Sequence, residues 1–409
     1  MSATDPFGLQ REGRIKSSKV REVFTPHLPI NSQNLFWGRQ HEVQKLIEHI
    51  NTPGQHALLY GDRGVGKSSL ANIAAKLLIS RLIKGKFYEK RCDSNDTFET
   101  ILQKPLKEVG LDIYATTRLA SHEQSGQAGL KLPVAEAGIS SKRIQTDHTK
   151  APILSPSFVA EQLLKAEGLL LIDEADALKN PDDKKRLAEL IKLLSDNGSG
   201  FKLLIVGIAE TAEQLTGGHA SVQRCLKETK LGRMRGDELS LIITEGGKRL
   251  GLEFETQVVQ KIVRLSAGYP HFTQLLALKC AEEAVANGKK RITSDDLQSA
   301  LSAAVEDAEG TLRRVYDTAA RSYNTDMYRV ILQAAAHLGR DEFSAGQLRS
   351  AIEKITSEAI AQQGLNNYLN RLISDDGSTI LVRKSKGIYK FSDPRMPSFI
   401  KIANDLDES

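Results

Sequence analysis

The chain has 409 residues, more than one compact unit commonly holds, so two or three domains are expected. A hydrophobic share of 40% supports real cores, while a net charge of only +5 means that any nucleic-acid surface must be local. The three cysteines, Cys92, Cys225 and Cys280, form no C-x-x-C pair, which argues against a zinc site or disulfide framework and fits a reducing, cytoplasmic setting; no apolar run approaches the ~18 residues of a membrane span, and Met1 to Pro6 lacks a signal-peptide pattern.

Residues 1 to about 34 show no clear periodicity and carry Arg11, Arg14, Lys16, Lys19 and Arg21 against Glu12 and Glu22. That is the pattern of a flexible basic arm, with contact to an acidic partner left open. From Leu35 the pattern tightens. Phe36-Trp37-Gly38-Arg39-Gln40 leads into a helix with Val43, Leu46, Ile47 and Ile50 on one face, ended by Thr52-Pro53-Gly54. The apolar strand His56–Tyr60 follows, then Gly61-Asp62-Arg63-Gly64-Val65-Gly66-Lys67-Ser68-Ser69, then a helix with Leu70, Ile73, Ala74, Leu77 and Leu78.

The spacing from Gly61 to Gly66-Lys67-Ser68 is G-x-x-x-x-G-K-S/T, and its strand–loop–helix setting is the one a phosphate-binding loop requires. Glycines at 61, 64 and 66 let consecutive N–H groups turn inward toward an anion, and the helix N-terminus adds its dipole. Lys67 is placed to reach the β- and γ-phosphates and the Ser68 hydroxyl to ligate Mg²⁺. A nucleoside triphosphate is the implied ligand.

A second strand is expected over 85–92 and a helix from Thr97. Residues 119–155 form a Ser-, Gly- and Ala-rich insert, in which Gly129–Ile139 reads equally as a hairpin or as disorder. A helix over 157–167 feeds the continuous apolar run Gly168–Ile172, which ends in Asp173 and Glu174. A strand covered on both faces reads this way, and ligands gather at the carboxyl ends of such strands. Asp173 is therefore the candidate to hold Mg²⁺ through water, and Glu174 the candidate general base. A helix over 182–194 and a buried strand over 201–209 complete a β-α alternation that specifies a parallel, helix-flanked sheet.

Past about residue 240 the strands stop, and helices are expected over 253–267, 272–287 and 293–309. A third unit begins near 326, with helices over 327–338, 346–355 and 357–373, then short strands over 379–383 and 388–391. Three helices followed by a hairpin is the winged-helix layout. The third helix exposes Gln362, Gln363, Asn366, Asn367, Asn370 and Arg371 opposite Leu365, Leu369, Leu372 and Ile373, and the hairpin carries Arg383, Lys384, Lys386 and Lys390. Amides and Arg371 can bond phosphates or base edges, and a basic wing can follow a phosphate backbone.

On these motifs the chain resembles the AAA+ ATPases, in the branch shared by origin-recognition initiators, transposition ATPases and STAND signalling ATPases. The resemblance covers residues 36 to 305 and, more loosely, reaches 396. Phe36-Trp37-Gly38-Arg39-Gln40-His41-Glu42 looks like the family's F-x-G-R-x-x-E signature, which implies adenine contact by Phe36, Gly38 and Arg39. Glu210 stands where initiators usually have a sensor-1 Asn, and Thr211 beside it is the alternative. Ser221-Val222-Gln223-Arg224 resembles the arginine-finger stretch, with Arg233 and Arg235 as the next candidates. Gly268-Tyr269-Pro270-His271 matches the G-x-P motif of STAND lids, and His271 is the nearest stand-in for a sensor-2 Arg. These departures imply slow hydrolysis.

The expected architecture is α/β: a flexible arm over 1–34, a three-layer P-loop NTPase core with a parallel sheet over 35–240, an all-helical lid over 241–310, a C-terminal winged-helix domain over 326–396 and a tail over 397–409. The expected function is an ATP- and Mg²⁺-using switch ATPase that assembles with itself in the ATP state, on duplex DNA. The alternative is a STAND-like signalling or defence switch gated by a protein partner, its winged helix holding the core off.

Overall fold

The computed structural model describes residues 19–113, 154–216, 220–308, 310–322, 325–374 and 379–407, so the hairpin considered at Gly129–Ile139 lies outside the described residues. The chain divides into two compact units. One comprises Gln44–Tyr60 and Ala74–Lys230; the other comprises Met1–Val43, Gly61–Ile73 and Leu231–Ser409. Two helices cross this division, α1 (Gln40–Asn51) and α2 (Lys67–Arg81).

The first unit is built on a five-stranded sheet of β1 (His56–Tyr60), β2 (Lys86–Arg91), β3 (Gly168–Asp173), β4 (Phe201–Gly207) and β5 (Leu226–Lys230). Every pairing is parallel, in the order β5-β1-β4-β3-β2. β3 and β4 are buried along their whole length and β1 along all but Tyr60, which their unbroken apolar runs demand. β2 and β5 are edges and are largely solvent-facing, with Tyr88 buried in β2 and Leu226 and Thr229 in β5. Helices α3 (Phe98–Glu108), α4 (Pro156–Leu163), α5 (Pro181–Asp196), α6 (Ala209–Thr216) and α7 (Ala220–Cys225) flank the sheet. Their starts are legible chemically: Thr97 closes a capping box with Thr100, while Ser155 and Asn180 cap α4 and α5 ahead of Pro156 and Pro181. The packed interior runs from Leu58 and Leu170 through Phe98, Ile101 and Leu102 to Leu187, Ile191 and Phe201.

The second unit is mostly helical. Its helices are α8 (Gly236–Leu250), α9 (Thr256–Ser266), α10 (Pro270–Ala286), α11 (Ser294–Asp307), α12 (Gly310–Ala320), α13 (Met327–His337), α14 (Ala345–Thr356), α15 (Gln362–Leu372) and α16 (Met396–Asp407). Two short parallel strands, β6 (Glu253–Phe254) and β7 (Arg291–Ile292), join the helical run. A second, antiparallel sheet orders β8 (Phe343–Ser344), β10 (Ile388–Phe391) and β9 (Leu381–Ser385).

Three features of this unit depart from expectation. The stretch expected as a tail is α16, whose Phe399, Ile400 and Ile402 are buried. Tyr316 of α12 meets the Phe399 ring edge-on, and Ser398 Oγ donates to the Ser266 carbonyl at 3.0 Å. The stretch expected as an arm is anchored in part: Val20, Val23 and Phe24 are buried, Phe24 sits edge-on to Phe254, and Leu28 and residues 31–34 stay exposed. The strand content past residue 240 is small but present, because backbone ends of two helical hairpins find each other as β6 and β7.

At the amino end of β1 and β4 a buried polar network fixes the sheet. Lys202 Nζ donates to the carbonyls of Thr52 and Gln55, just past the end of α1, at 3.0 and 3.2 Å. Burial lowers the Lys202 pKa, and the two carbonyls satisfy the cation. His56 accepts the Leu203 N–H on Nδ1 at 3.0 Å, and burial, with Lys202 nearby, pushes its pKa down to about 3. The unfolded imidazole takes up a proton near its ordinary value of about 6.5 that the folded one refuses. The stability this site provides is therefore complete above about pH 6.5 and drains toward pH 3 by ~1.4 kcal/mol per pH unit. In urea titrations between pH 4 and 7, His56→Asn is expected to keep the hydrogen-bond acceptor and lose this slope. An unchanged slope would assign the pH dependence elsewhere.

Candidate nucleotide site

The phosphate loop follows β1 without interruption, and α2 begins at Lys67. Gly64 and Gly66 hold φ of 78° and 94°, values an L side chain resists, so the loop's curl depends on them. Lys67 Nζ crosses the loop it follows and donates to the carbonyls of Gly61 and Asp62 at 2.9 and 2.7 Å. Val65 is buried and pins the loop from beneath, while Asp62 and Arg63 are exposed and Gly64, Gly66, Lys67, Ser68 and Ser69 are half-buried. Ser69 Oγ accepts the Ile30 N–H at 3.0 Å, and Asn72 Nδ2 donates to Asn31 at 3.1 Å, so the amino-terminal segment runs along the start of α2.

Phe36 is half-buried, and Gly38 and Arg39 are buried. Arg39 stands in the left-handed region, with φ of 59°. Its Nη2 donates to the Gly232 carbonyl at 2.6 Å. Its Nε and Nη1 are buried and have no partner among the described residues. Burial lowers the Arg39 pKa, with Glu42 and Glu238 opposing that shift. Two desolvated donors without acceptors cost ~1–3 kcal/mol each.

The G-x-P segment reaches the loop in the same unit. A Cβ built on Gly66 would lie 3.6 Å from Pro270 Cγ, and one on Gly64 3.6 Å from Tyr269 Cδ1. Tyr269 is fully buried, and burial raises its phenol to about 12. Its hydroxyl accepts from Arg233 Nε at 3.0 Å while the Arg233 guanidinium lies 4.9 Å over its ring and pairs with Asp341. His271 turns to the amino-terminal segment instead: Nδ1 donates to the Pro26 carbonyl at 2.7 Å. Tyr269 was part of the motif but carried no expected role, and nothing in the sequence distinguishes its ring from a core aromatic.

The carboxylate pair belongs to the sheet unit. β3 ends at buried Asp173, whose Oδ1 accepts the Glu174 N–H at 2.9 Å. Glu174 is left-handed, at φ 55° and ψ 41°, which aims its side chain away from the strand's regular alternation. Its Oε1 pairs with Arg91 Nη2 at 2.6 Å, and that bond raises the Arg91 pKa. Non-glycine residues held at such angles cost ~1–3 kcal/mol and concentrate at functional sites. Arg91, the last residue of β2, was not expected to take part. Its approach rests on the β2–β3 register, Arg91 beside Asp173, across 83 residues of chain.

The remaining candidates are placed as follows. Glu210 and Thr211 open α6 directly after β4, and their side chains lie outside the described ones. Arg224 sits in the last turn of α7, 73% exposed, and its Nη2 meets Asp196 at 3.2 Å. Arg235 chelates Asp237. On α15, Asn370 is exposed and Asn366 half-buried. Arg371 is engaged internally, stacked 4.2 Å over Tyr328 and donating to the Arg321 carbonyl at 2.6 Å. Arg383, Lys384 and Lys386 project from the β9–β10 hairpin, and Lys390 is half-buried. Among the described residues no helix is long and apolar enough to cross a membrane, and no group of three or more His, Cys, Asp or Glu could hold a metal by itself. Of the candidates for Mg²⁺, Ser68 is half-buried at the start of α2 and Asp173 is buried at the end of β3 in the sheet unit.

The structure of the ORC2 protein of Aeropyrum pernix, solved as ADPNP–ADP complexes, shares the fold with a TM-score of 0.50 at 16% identity, over 95% of this chain and 98% of that one. A Walker-type ATPase of Pyrococcus abyssi aligns with a TM-score of 0.49 at 18% identity, over 92% and 99% of the two chains. In sequence, the Holliday junction branch migration complex subunit RuvB of Paracoccus denitrificans is 30% identical over 131 residues; the match spans about a third of each protein, 32% of this chain and 36% of that one. The Novel STAND NTPase 1 family matches residues 28–382, a span that includes the phosphate loop, Arg39, the carboxylate pair and the G-x-P segment. The chain accordingly belongs to that family of STAND NTPases.

Proposed function

We propose that this protein is an ATP switch that binds ATP with Mg²⁺, hydrolyses it slowly and changes its assembly with the nucleotide it holds. The observation that carries the reading is the phosphate loop, which shares its compact unit with Arg39, whose Nε and Nη1 are buried without a partner among the described residues. In this reading the loop N–H groups and Lys67 hold the phosphates, and Ser68 and Asp173 hold Mg²⁺, which draws charge from the phosphate oxygens when bound. Glu174 orients and deprotonates the attacking water. Its pairing with Arg91 supports slow turnover, because the guanidinium competes with water for the carboxylate. Arg224, exposed near the end of a short helix, is the residue offered to a neighbouring copy, where such a finger contributes ~10³–10⁵ in rate.

Phosphate release tests these roles. Glu174→Gln is expected to bind ATP and trap it; normal turnover would reassign the base. Exposed ion pairs are worth ~0–1 kcal/mol, so Arg91→Ala is expected to raise basal turnover by up to about fivefold, and a fall would show that Arg91 orients Glu174 for catalysis. Turnover per chain is expected to climb with protein concentration in the wild type and to stay flat in Arg224→Ala. A concentration-dependent Arg224→Ala would move the finger to Arg235.

The output proposed for the ATP state is duplex DNA, contacted by the winged helix through Asn366, Asn370 and the wing. With Arg371 engaged internally, the exposed cations are Arg383, Lys384 and Lys386. Three phosphate contacts give a salt slope of about −2.7 in log K against log salt, too little for tight binding by one chain. Assembly adds such contacts together. The curated relative's name, a subunit of a Holliday junction complex, supports a DNA output. Family membership favours a second reading, a signalling switch gated by a protein partner. Anisotropy of labelled duplex DNA, with a slowly hydrolysed ATP analogue and then with ADP, separates the two. Binding that needs the ATP analogue and weakens steeply with salt supports the DNA output; no binding in either state supports the protein partner.

A further inference from the structure

The turn between β10 and α16 reads Ser392-Asp393-Pro394-Arg395 and brings an arginine to the phosphate loop. A Cβ built on Gly64 would lie 2.7 Å from Arg395 Cδ and 3.2 Å from its Cγ, so the arginine stem passes directly over the loop. Its side chain is only 12% exposed. The guanidinium chelates one carboxylate: Nε meets Asp393 Oδ1 at 3.1 Å and Nη2 meets Oδ2 at 2.8 Å. The Arg395 backbone N–H also donates to Asp393 Oδ1, at 2.8 Å. Burial raises the Asp393 pKa, but Arg395 and, more weakly, Arg63 of the loop outweigh it and hold the carboxyl below its ordinary range.

An ion pair shielded from solvent and set against an anion-binding loop is poised for exchange. A polyphosphate in the loop repels Asp393 and attracts Arg395, and both act on one three-residue hook. That hook opens α16, whose Phe399 and Ile400 are buried among the helices of this unit. We propose that Arg395 is a phosphate-contacting residue contributed to the loop by the C-terminal segment, with Asp393 as the internal carboxylate that phosphate oxygens displace. The inference rests on the loop holding a nucleotide. It makes the C-terminal helix a direct reporter of loop occupancy.

The test uses Asp393→Asn, Arg395→Ala and Arg395→Lys in the full chain. Asparagine keeps the oxygen that accepts the Arg395 N–H and removes only the charge, so the turn is preserved. Equilibrium binding of fluorescent ADP and ATP analogues with Mg²⁺ is measured, with thermal midpoints to verify folding. Arg395→Ala removes a charge-assisted hydrogen bond to phosphate and is expected to weaken binding about tenfold, with Arg395→Lys in between. Asp393→Asn, which frees the guanidinium, is expected to tighten binding several-fold. Opposite signs support the proposal, since a purely structural pair would shift both variants the same way. Both variants weaker, or both within twofold of wild type, would overturn it and leave the loop assignment standing. A wild-type chain that binds neither analogue would overturn both.

Discussion

The curl of the backbone through Gly64 and Gly66 is the constraint on which the rest of this structure depends. Both residues hold positive φ, and a Cβ at Gly64 would meet the Arg395 stem, which passes over the loop there. Tyr269 and Pro270 come up to the same two glycines. A side chain at Gly64 would therefore disturb the loop twice, through its backbone angle and through its neighbours. The surrounding elements exist to hold this short segment: β1 delivers it, α2 leaves from it, and the amino-terminal residues 30 and 31 bind the first turns of α2.

Charge is managed around the loop by pairing. Lys67 is bonded to loop carbonyls, Arg395 to Asp393, and Arg233 to Asp341 and the Tyr269 hydroxyl. In the sheet unit Glu174 is bonded to Arg91 and Arg224 to Asp196. Each of these cations and carboxylates has a partner within the chain, and the proposed switch would exchange some of those partners for phosphate, water or another chain. Arg39 differs, because two of its donors are buried without acceptors among the described residues. A protein that keeps its charged groups in replaceable pairs suits a switch, in which a ligand acts by the difference it makes between two arrangements.

What could be read from the sequence follows from how local each signal is. The motif and the apolar runs Ala57–Leu59, Leu169–Ile172 and Leu203–Val206 are continuous in sequence, so the parallel core and its loop were legible. β5 was not, because only Leu226 and Thr229 of Leu226–Lys230 face inward and the rest read as a charged loop. The helix α16 follows Pro394 and begins Met396-Pro397-Ser398, so its apolar residues register only against helices far back in the chain, such as Met327–His337 and Gly310–Ala320. The amino-terminal arm looked polar because Val20, Val23 and Phe24 are scattered among charges, and their burial is tertiary, Phe24 meeting the Phe254 ring. Arg91 and Arg395 lie outside every motif; strand register brings the first to Glu174, and a turn brings the second to Gly64. Their chemistry is a product of the fold.

The central claim is that the loop holds a nucleotide through Lys67. Equilibrium binding of a fluorescent ATP analogue, with Mg²⁺, to the wild type and to Lys67→Ala tests it most directly. The account predicts saturable binding by the wild type and a loss of more than about tenfold in the variant, the scale of a hydrogen bond to a charged group. Equal affinity in the two proteins would contradict it.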